Sequence, residues 1–214
     1  MKNLYKGLSI SLCLIVAVIN TSEQTSIEPY NHNRDFVAVQ QILDTNQNYL
    51  RYESMGFPQD TTEQYIESHN FSTDVLRVNN QTVGFVNYHM EHLTLLTFYI
   101  HSAGCIHLLG IDFEHQGKGY GKKLMLHAIE KMEQNNMASA SIAVKKSNTK
   151  AQKLYESCGF TIAISLDDDF YYKKNLDVPE DKLPQGNIIQ RNKKISTAIA
   201  SLAIAGLVSW NYLL

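Results

Sequence analysis

The sequence predicts an α+β domain in which a mixed, mostly antiparallel sheet is flanked by helices. Strand-like segments follow one another over residues 74–101 with only a tight turn to separate the first two, which indicates an antiparallel meander. An apolar run, a glycine-rich turn and an amphipathic run then occupy residues 105–132, the order strand, turn, helix. The next apolar run, residues 138–144, predicts a strand that lies parallel to the strand 105–111 and is connected to it by a right-handed crossover.

The first third of the chain predicts an edge strand and two helices. Residues 26–30 form a short extended segment, and apolar residues repeat at a helical period over 34–52. Gly56 and Pro58 end this helix. Asp60, followed three residues later by Glu63, resembles a capping box and predicts a short helix over 61–69.

The remaining elements follow from the same patterns. Strands are predicted at 74–78 and 82–92, with β-forming residues continuing over 93–101, and a turn is predicted at 102–104 before the strand 105–111. Helices are predicted at 120–135 and 148–158, with Gly159 as the residue that ends the second one. Three further strands are predicted at 138–144, 160–166 and 170–174.

Length and composition fit one domain with an appendage at each end. The chain has 214 residues, of which 44% are hydrophobic and 19% charged, as is ordinary for a globular core. A net charge of -2 gives no indication of a nucleic-acid surface. Cys13, Cys105 and Cys158 lie far apart, which argues against a disulfide framework and against a zinc site. The sequence leaves the oligomeric state open.

Both ends of the chain suggest a membrane. Residues 195–214 carry no charge, and a helix of that length spans the hydrocarbon layer of about 30 Å. A polar linker, residues 176–194, precedes them and ends in basic residues. Within the first segment, 1–21, the apolar run 7–19 has the layout of a signal sequence or an anchor. Basic residues before the tail predict a cytoplasmic domain, whereas those before the first run predict export; a tail packed on the domain is the alternative to a membrane helix.

Residues 111–121 have the properties of an anion site. Gly117, Gly119 and Gly121 lack a Cβ, so that backbone can approach a ligand closely. The turn leads from a strand into a helix, whose free N–H groups and positive dipole end face the same volume. The spacing of these glycines is neither the dinucleotide fingerprint nor a Walker-type loop. Phosphate or pyrophosphate is the natural occupant.

A second segment, residues 148–160, adds a second pattern to the anion site, and the two patterns together resemble a known family. Residues 111–121 and then 148–160 resemble the two sequence patterns of the GCN5-related N-acetyltransferase (GNAT) superfamily, in the family's order and at the spacing of its strand–helix–strand–helix unit. The resemblance covers residues 25–175. The matched positions of the second pattern are Asn148, Ala151, Leu154, Tyr155, Gly159 and Phe160.

The resemblance implies the GNAT fold, in which two central parallel strands splay apart into a V, and acetyl-coenzyme A as co-substrate. Asn148 would contact the cofactor arm, and Tyr155 would protonate the departing thiolate. The backbone that would hold the pantetheine arm belongs to Ile111, Asp112 and Phe113. The N–H groups that would bind the pyrophosphate belong to Gln116, Gly117, Lys118, Gly119, Tyr120 and Gly121.

The chemistry of acetyl transfer needs an acid and a route for a proton. A tyrosine, with a reference pKa of about 10, stays protonated at neutral pH and can donate to a thiolate. The attacking amine must be neutral, and Glu91 is the first candidate for its base; Asp112, Glu114 and a water chain are alternatives. His89 and His107 could face the acceptor side of the sheet as structural residues or as a proton relay. His89 and His92 would point to opposite faces, so no metal is expected.

The sequence therefore predicts an N-acetyltransferase that moves an acetyl group from acetyl-coenzyme A to a primary amine of a small molecule or a protein. A non-catalytic module that binds or senses acyl-coenzyme A at a membrane is the alternative from another class. The sequence leaves the acceptor open.

Overall fold

The computed structural model describes residues 23–46, 66, 71–95 and 98–183. The predicted terminal segments 1–21 and 195–214 lie outside these ranges, as do residues 47–52 of the first predicted helix and nearly all of the predicted helix 61–69. Within the described ranges, the helices are too short or too polar to cross a bilayer. The membrane prediction therefore still rests on the sequence of the two ends.

A seven-stranded sheet forms the centre of the described domain. Its strand order is β1-β2-β3-β4-β5-β7-β6, and β4 and β5 are its parallel neighbours, while the other adjacent strands pair antiparallel. This confirms the predicted mixed, mostly antiparallel sheet. The strands are β1 (Thr25–Pro29), β2 (Ser72–Val78), β3 (Gln81–Leu95), β4 (Phe98–Ile111), β5 (Ser139–Lys145), β6 (Thr161–Ser165) and β7 (Asp169–Asn175).

Helices cover both faces of this sheet. The helices are α1 (His32–Thr45), α2 (Tyr120–Gln134) and α3 (Thr149–Ser157). Successive side chains of a strand point to opposite faces, so Phe85 of β3 packs in the cluster that contains the apolar residues of α1, whereas Val86 packs in the cluster that contains those of α2. The two buried faces hold α1 on one side of the sheet and α2 on the other.

The predicted turn at residues 102–104 is wrong, because β4 runs through it without interruption. Ala103 and Gly104 pair with Glu91 and Met90 of β3 and also with β5. Small residues stand here for a packing reason: a Cβ on Gly104 would overlap the side chain of Met132 in α2. The glycine therefore brings a helix close to the sheet instead of turning the chain.

The two central parallel strands separate towards their carboxyl ends. β4 and β5 pair from Ala103 with Ser139 as far as Ile106 with Ile142, and both strands then continue beyond the paired region. A bulge lies at the point of separation: β3 Asn87 faces Leu108 and Tyr88 faces Ile106, which leaves His107 as the extra residue of β4. The V-shaped splay that the resemblance implied is thus present.

Candidate active site

A cavity of about 590 Å³ occupies the open end of the V. It has the size of an ordinary ligand site. Its walls come from the ends of β4 and β5, from the glycine-rich turn and from the first turns of α2 and α3. The lining residues include, besides those discussed below, Leu108, Leu109, Gly110, Val144, Lys145 and Lys153.

The glycine-rich turn presents bare backbone to this cavity. Gly117 and Gly119 have φ values of 78° and 84°, which a residue with a Cβ adopts only at a cost. A Cβ on either would meet no described atom within 4 Å, so the backbone conformation, and not crowding, requires glycine. Lys123 N–H makes the first helical bond, to the Gly119 carbonyl at 3.1 Å. The N–H groups of the first turn before it have no intrahelical acceptor and can bind an anion.

Most residues predicted to hold the cofactor converge on the cavity. Asp112 and Phe113 do not line it: the Asp112 carboxylate accepts a hydrogen bond from His115 Nδ1 at 2.7 Å, and Phe113 is 75% exposed. Lys118 also lies outside the lining. The predicted residues that do line the cavity are Ile111, Gln116, Gly117, Gly119, Tyr120, Gly121 and Asn148.

The side chains of Gln116 and Asn148 already have partners within the domain. Gln116 Nε2 donates to the Ile111 carbonyl at 3.2 Å, which connects the turn to the end of β4. Asn148 Oδ1 accepts the N–H of Ala151 at 3.1 Å and so caps α3. Asn148 also lines the cavity. Gly159, with φ of 86°, ends the same helix in the way the sequence predicts.

Tyr155 extends from α3 to the cavity wall. Its side chain is 7% exposed and packs edge-to-face on Tyr172, with ring centroids 5.7 Å apart. Burial, followed by the effect of Tyr172, raises the pKa of the Tyr155 hydroxyl above its usual value. The phenol therefore stays protonated throughout the neutral range. Such a group can donate a proton to a leaving thiolate.

Three side chains that no local sequence pattern connects meet beside the vertex of the V. His89 Nδ1 of β3 lies 2.5 Å from His107 Nε2 at the bulge of β4, and the Cys105 thiol lies close to both. Burial lowers the pKa of both imidazoles, that of His107 to about 3 with a smaller contribution from His89, and burial raises the pKa of the Cys105 thiol to about 11. Of the three, His107 lines the cavity.

Glu91, the predicted base, lies outside the cavity wall. Its carboxylate is 52% exposed and stands 4.0 Å from His89 Nε2. The sequence predicts His89 and His107 on one side of the sheet but not their direct contact or the presence of Cys105 beside them, because these depend on the register of two strands and on a bulge. Tyr171 of β7, which lines the cavity together with Asp169 of the same strand, has no signal in the sequence either.

Comparison with known proteins agrees with this fold. The model of the Acetyltransferase (GNAT) family matches residues 39–160. The chain belongs to this family of acetyltransferases, whose co-substrate is acetyl-coenzyme A.

Relatives and solved structures extend the comparison. A ribosomal protein bS18-alanine N-acetyltransferase from Haemophilus ducreyi is 30% identical over 99 residues, which are 44% of this chain and 68% of that protein. The crystal structure of a ribosomal-protein-alanine N-acetyltransferase from Escherichia coli superposes with a TM-score of 0.56 at 18% identity, over 75% of this chain and 99% of that chain. A spermidine N-acetyltransferase from Vibrio cholerae gives a TM-score of 0.54 at 20% identity, over 71% and 94%. At these identities the two structures establish the fold alone.

Proposed function

We propose that this protein is an N-acetyltransferase that moves the acetyl group of acetyl-coenzyme A to a primary amine. One observation carries the proposal: the N-terminal end of α2, the separated ends of β4 and β5, and the buried residue Tyr155 border a single cavity. The helix start supplies an anion site for the pyrophosphate. Backbone at the open edge of β4 provides partners for the pantetheine arm and for the oxyanion that forms during transfer.

The proposed reaction is a direct transfer. The neutral amine attacks the thioester carbonyl and forms a tetrahedral intermediate. Collapse of this intermediate breaks the carbon–sulfur bond, and the Tyr155 hydroxyl donates its proton to the leaving sulfur. The amine loses a proton to solvent through water or a carboxylate, and a proton from solvent restores the Tyr155 hydroxyl, so that the net products are the acetylated amine and the free thiol. The role of Glu91 as the first carboxylate on this route stays a prediction. Its side chain lies outside the cavity wall.

The acceptor is proposed at the level of its chemistry. The sequence relative is named for a ribosomal-protein alanine as acceptor, and one structurally similar enzyme is named for spermidine, both of them nitrogen acceptors. Asp169 lines the cavity, and a carboxylate there favours a cationic amine on approach. We therefore propose a primary amine of a small molecule or a protein as the acceptor class.

Tyr155→Phe tests the acid assignment. The variant keeps the ring that packs on Tyr172 and removes the proton donor, so we expect kcat to fall about 10²- to 10⁴-fold while the Kd for acetyl-coenzyme A is unchanged. Tyr172→Phe is the matched control, because it removes the neighbouring hydroxyl, which donates to Glu156 at 3.1 Å, and should keep the rate. Steady-state kinetics and calorimetry make the comparison.

Two outcomes would count against the proposal. Undiminished turnover in Tyr155→Phe would remove that residue from the role of acid. A wild-type protein that binds acetyl-coenzyme A tightly but acetylates nothing in a panel of polyamines, amino sugars and peptides with free N-termini or lysines would instead favour the non-catalytic binding module.

Membrane attachment through residues 195–214, and through residues 7–19 if they are retained, is a proposal from the sequence alone. The division of the chain into an N-terminal apolar segment (1–21), the acetyltransferase domain (25–175), a polar linker (176–194) and a C-terminal apolar segment (195–214) is part of the same proposal. Fractionation of the tagged full chain with protease protection of each end tests it. If the domain were recovered outside the cell, it would have no access to acetyl-coenzyme A, and this result would count against the proposed activity.

A further inference from the structure

We propose that His89, Cys105 and His107 bind a divalent transition-metal ion of the zinc class. The site lies on the α1 face of the sheet, beside the vertex of the V, and does not depend on the function proposed above. The three potential ligand atoms lie within 4.8 Å of one another. Two of them, His89 Nδ1 and His107 Nε2, are 2.5 Å apart.

The sheet itself brings these residues together. His89 and Cys105 are directly paired across β3 and β4. His107 is the extra residue of the β4 bulge, and Leu108 beside it packs in the α1 cluster. The bulge turns His107 to the same side, where its ring meets His89 and the ring of Phe71. Paired strands and a bulge hold a ligand set more firmly than a loop does.

The ligand types select the class of ion. Imidazole nitrogen and thiolate sulfur suit zinc and its neighbours, whereas magnesium and calcium prefer oxygen. In a tetrahedral zinc site with Zn–N of about 2.0 Å and Zn–S of about 2.3 Å, ligand atoms stand roughly 3.3–3.7 Å apart. The two imidazole nitrogens are closer than this, so small rotations of the rings open the site for the ion. Three protein ligands leave a fourth position for water.

The surroundings resemble those of a built metal site. Phe71 packs on both imidazoles, with ring centroids 5.7 Å from His89 and 4.7 Å from His107, and shields one side of the cluster. The Glu91 carboxylate stands 4.0 Å from His89 Nε2, the nitrogen that does not face His107. A carboxylate that accepts the second N–H of a ligating histidine orients the ring and strengthens binding, and the Glu91 side chain would have to approach His89 by about 1 Å to do so. This gives Glu91 a role outside the cavity.

Metal binding to the untagged full chain tests the proposal without any acetyl-coenzyme A, so its outcome is independent of the acetyltransferase proposal. After treatment with a chelator, calorimetry with zinc chloride should give one ion per chain, and excess magnesium should not compete. Cobalt(II) should produce an intense near-ultraviolet band from thiolate-to-metal charge transfer. Zinc should also protect Cys105 from alkylation, as read by peptide mass spectrometry.

Variants assign the ligands. Cys105→Ser should abolish the cobalt charge-transfer band, and His107→Ala should weaken zinc binding by at least about 100-fold, while Glu91→Gln should weaken it about 10-fold. His92→Ala on the same strand is the matched histidine control and should keep zinc affinity. The cysteine controls are Cys13→Ser and Cys158→Ser, and both should keep the band.

The proposal is overturned if wild-type protein shows no thiolate band with cobalt and no zinc protection of Cys105. Folded Cys105→Ser and His107→Ala variants, checked by circular dichroism, that bind zinc as the wild type does would overturn it as well. The wild-type measurements decide the question even if a variant does not fold.

Discussion

Asn148 combines a structural contact with a position in the lining of the cavity. Its Oδ1 accepts the Ala151 N–H and caps α3, the helix that carries Tyr155. The family resemblance assigns the same residue a contact with the cofactor arm. A cap needs only an acceptor, whereas the side-chain NH₂ group is available as a donor to a ligand. The two roles can therefore be separated by substitution.

Asn148→Ala should lower the free energy of unfolding by about 1 kcal/mol, since an uncapped N–H remains at the start of α3. Asn148→Asp should keep the cap and most of the stability, but it should bind acetyl-coenzyme A more weakly because it lacks the NH₂ donor. Denaturant unfolding and calorimetry separate the two effects. An Asp variant with wild-type affinity would show that the amide donor makes no contact with the cofactor.

At the scale of elements, Asp35 connects α1 to the sheet. Its carboxylate is fully buried and accepts hydrogen bonds from Thr82 Oγ1 at 2.7 Å, Arg77 Nη1 at 2.9 Å and the Asn31 N–H at 2.9 Å. Burial by itself would raise the pKa of this carboxyl, but hydrogen bonds from Arg34, Thr82 and Asn31 outweigh it, and the pKa is lowered. The charged form is thus the one that the fold stabilises.

The sign of the pH dependence follows from this lowered pKa. The stabilising contribution is complete above the unfolded-state pKa of about 3.9 and is lost as the pH falls through the folded-state value. Asp35→Asn should lower the free energy of unfolding by about 2 kcal/mol at pH 6, the order of a few hydrogen bonds to a charged group, and by less at pH 3. Urea unfolding at the two pH values measures the difference.

Asp44→Asn provides the control on the same helix. Asp44 lies at the exposed end of α1 and accepts a hydrogen bond from Gln40 at 2.9 Å. Its substitution should change the free energy of unfolding by less than about 0.5 kcal/mol. If Asp35→Asn cost the same at pH 6 and pH 3, the buried carboxylate would not be the group whose charge matters.

At the scale of the whole molecule, one split sheet is both the scaffold of the domain and a wall of the cavity. In a sheet, alternate backbone groups of a strand point to each neighbour. Beyond Ile106 those of β4 that face β5 have no ladder partner in the described sheet. The cavity therefore opens at a place where the sheet can accept an extended ligand without losing its own pairs.

Hydrogen exchange tests this arrangement. Acetyl-coenzyme A should slow amide exchange in residues 108–111 and in the turn and first helical residues 117–123, with little change in the pairing of β1 and β2. Adenosine 3′,5′-bisphosphate lacks the pantetheine arm and should leave residues 108–111 unprotected. Equal protection throughout the sheet would indicate general stabilisation of the fold instead of a contact at the open edge.

Much of the element order follows from the sequence by itself. The period-two and helical patterns, the glycines of the turn at 117–121 and Gly159 at the end of α3 act over a few neighbouring residues, so they can be read locally. The strand–helix–strand order predicted the parallel pair, the glycine-rich turn predicted the anion site, and the two segments in family order predicted the acetyltransferase class.

Other features depend on contacts between distant residues, and only the tertiary structure decides them. β4 continues through residues 102–104 because α2 packs against Gly104, although the local sequence favours a turn. The bulge at His107 results from the register of β3 and β4, and that register brings His89 and Cys105 beside it. The periodicity of apolar residues within one strand does not say which residues of two neighbouring strands pair with each other. The sequence determined the class of chemistry, and strand pairing decided which side chains surround it.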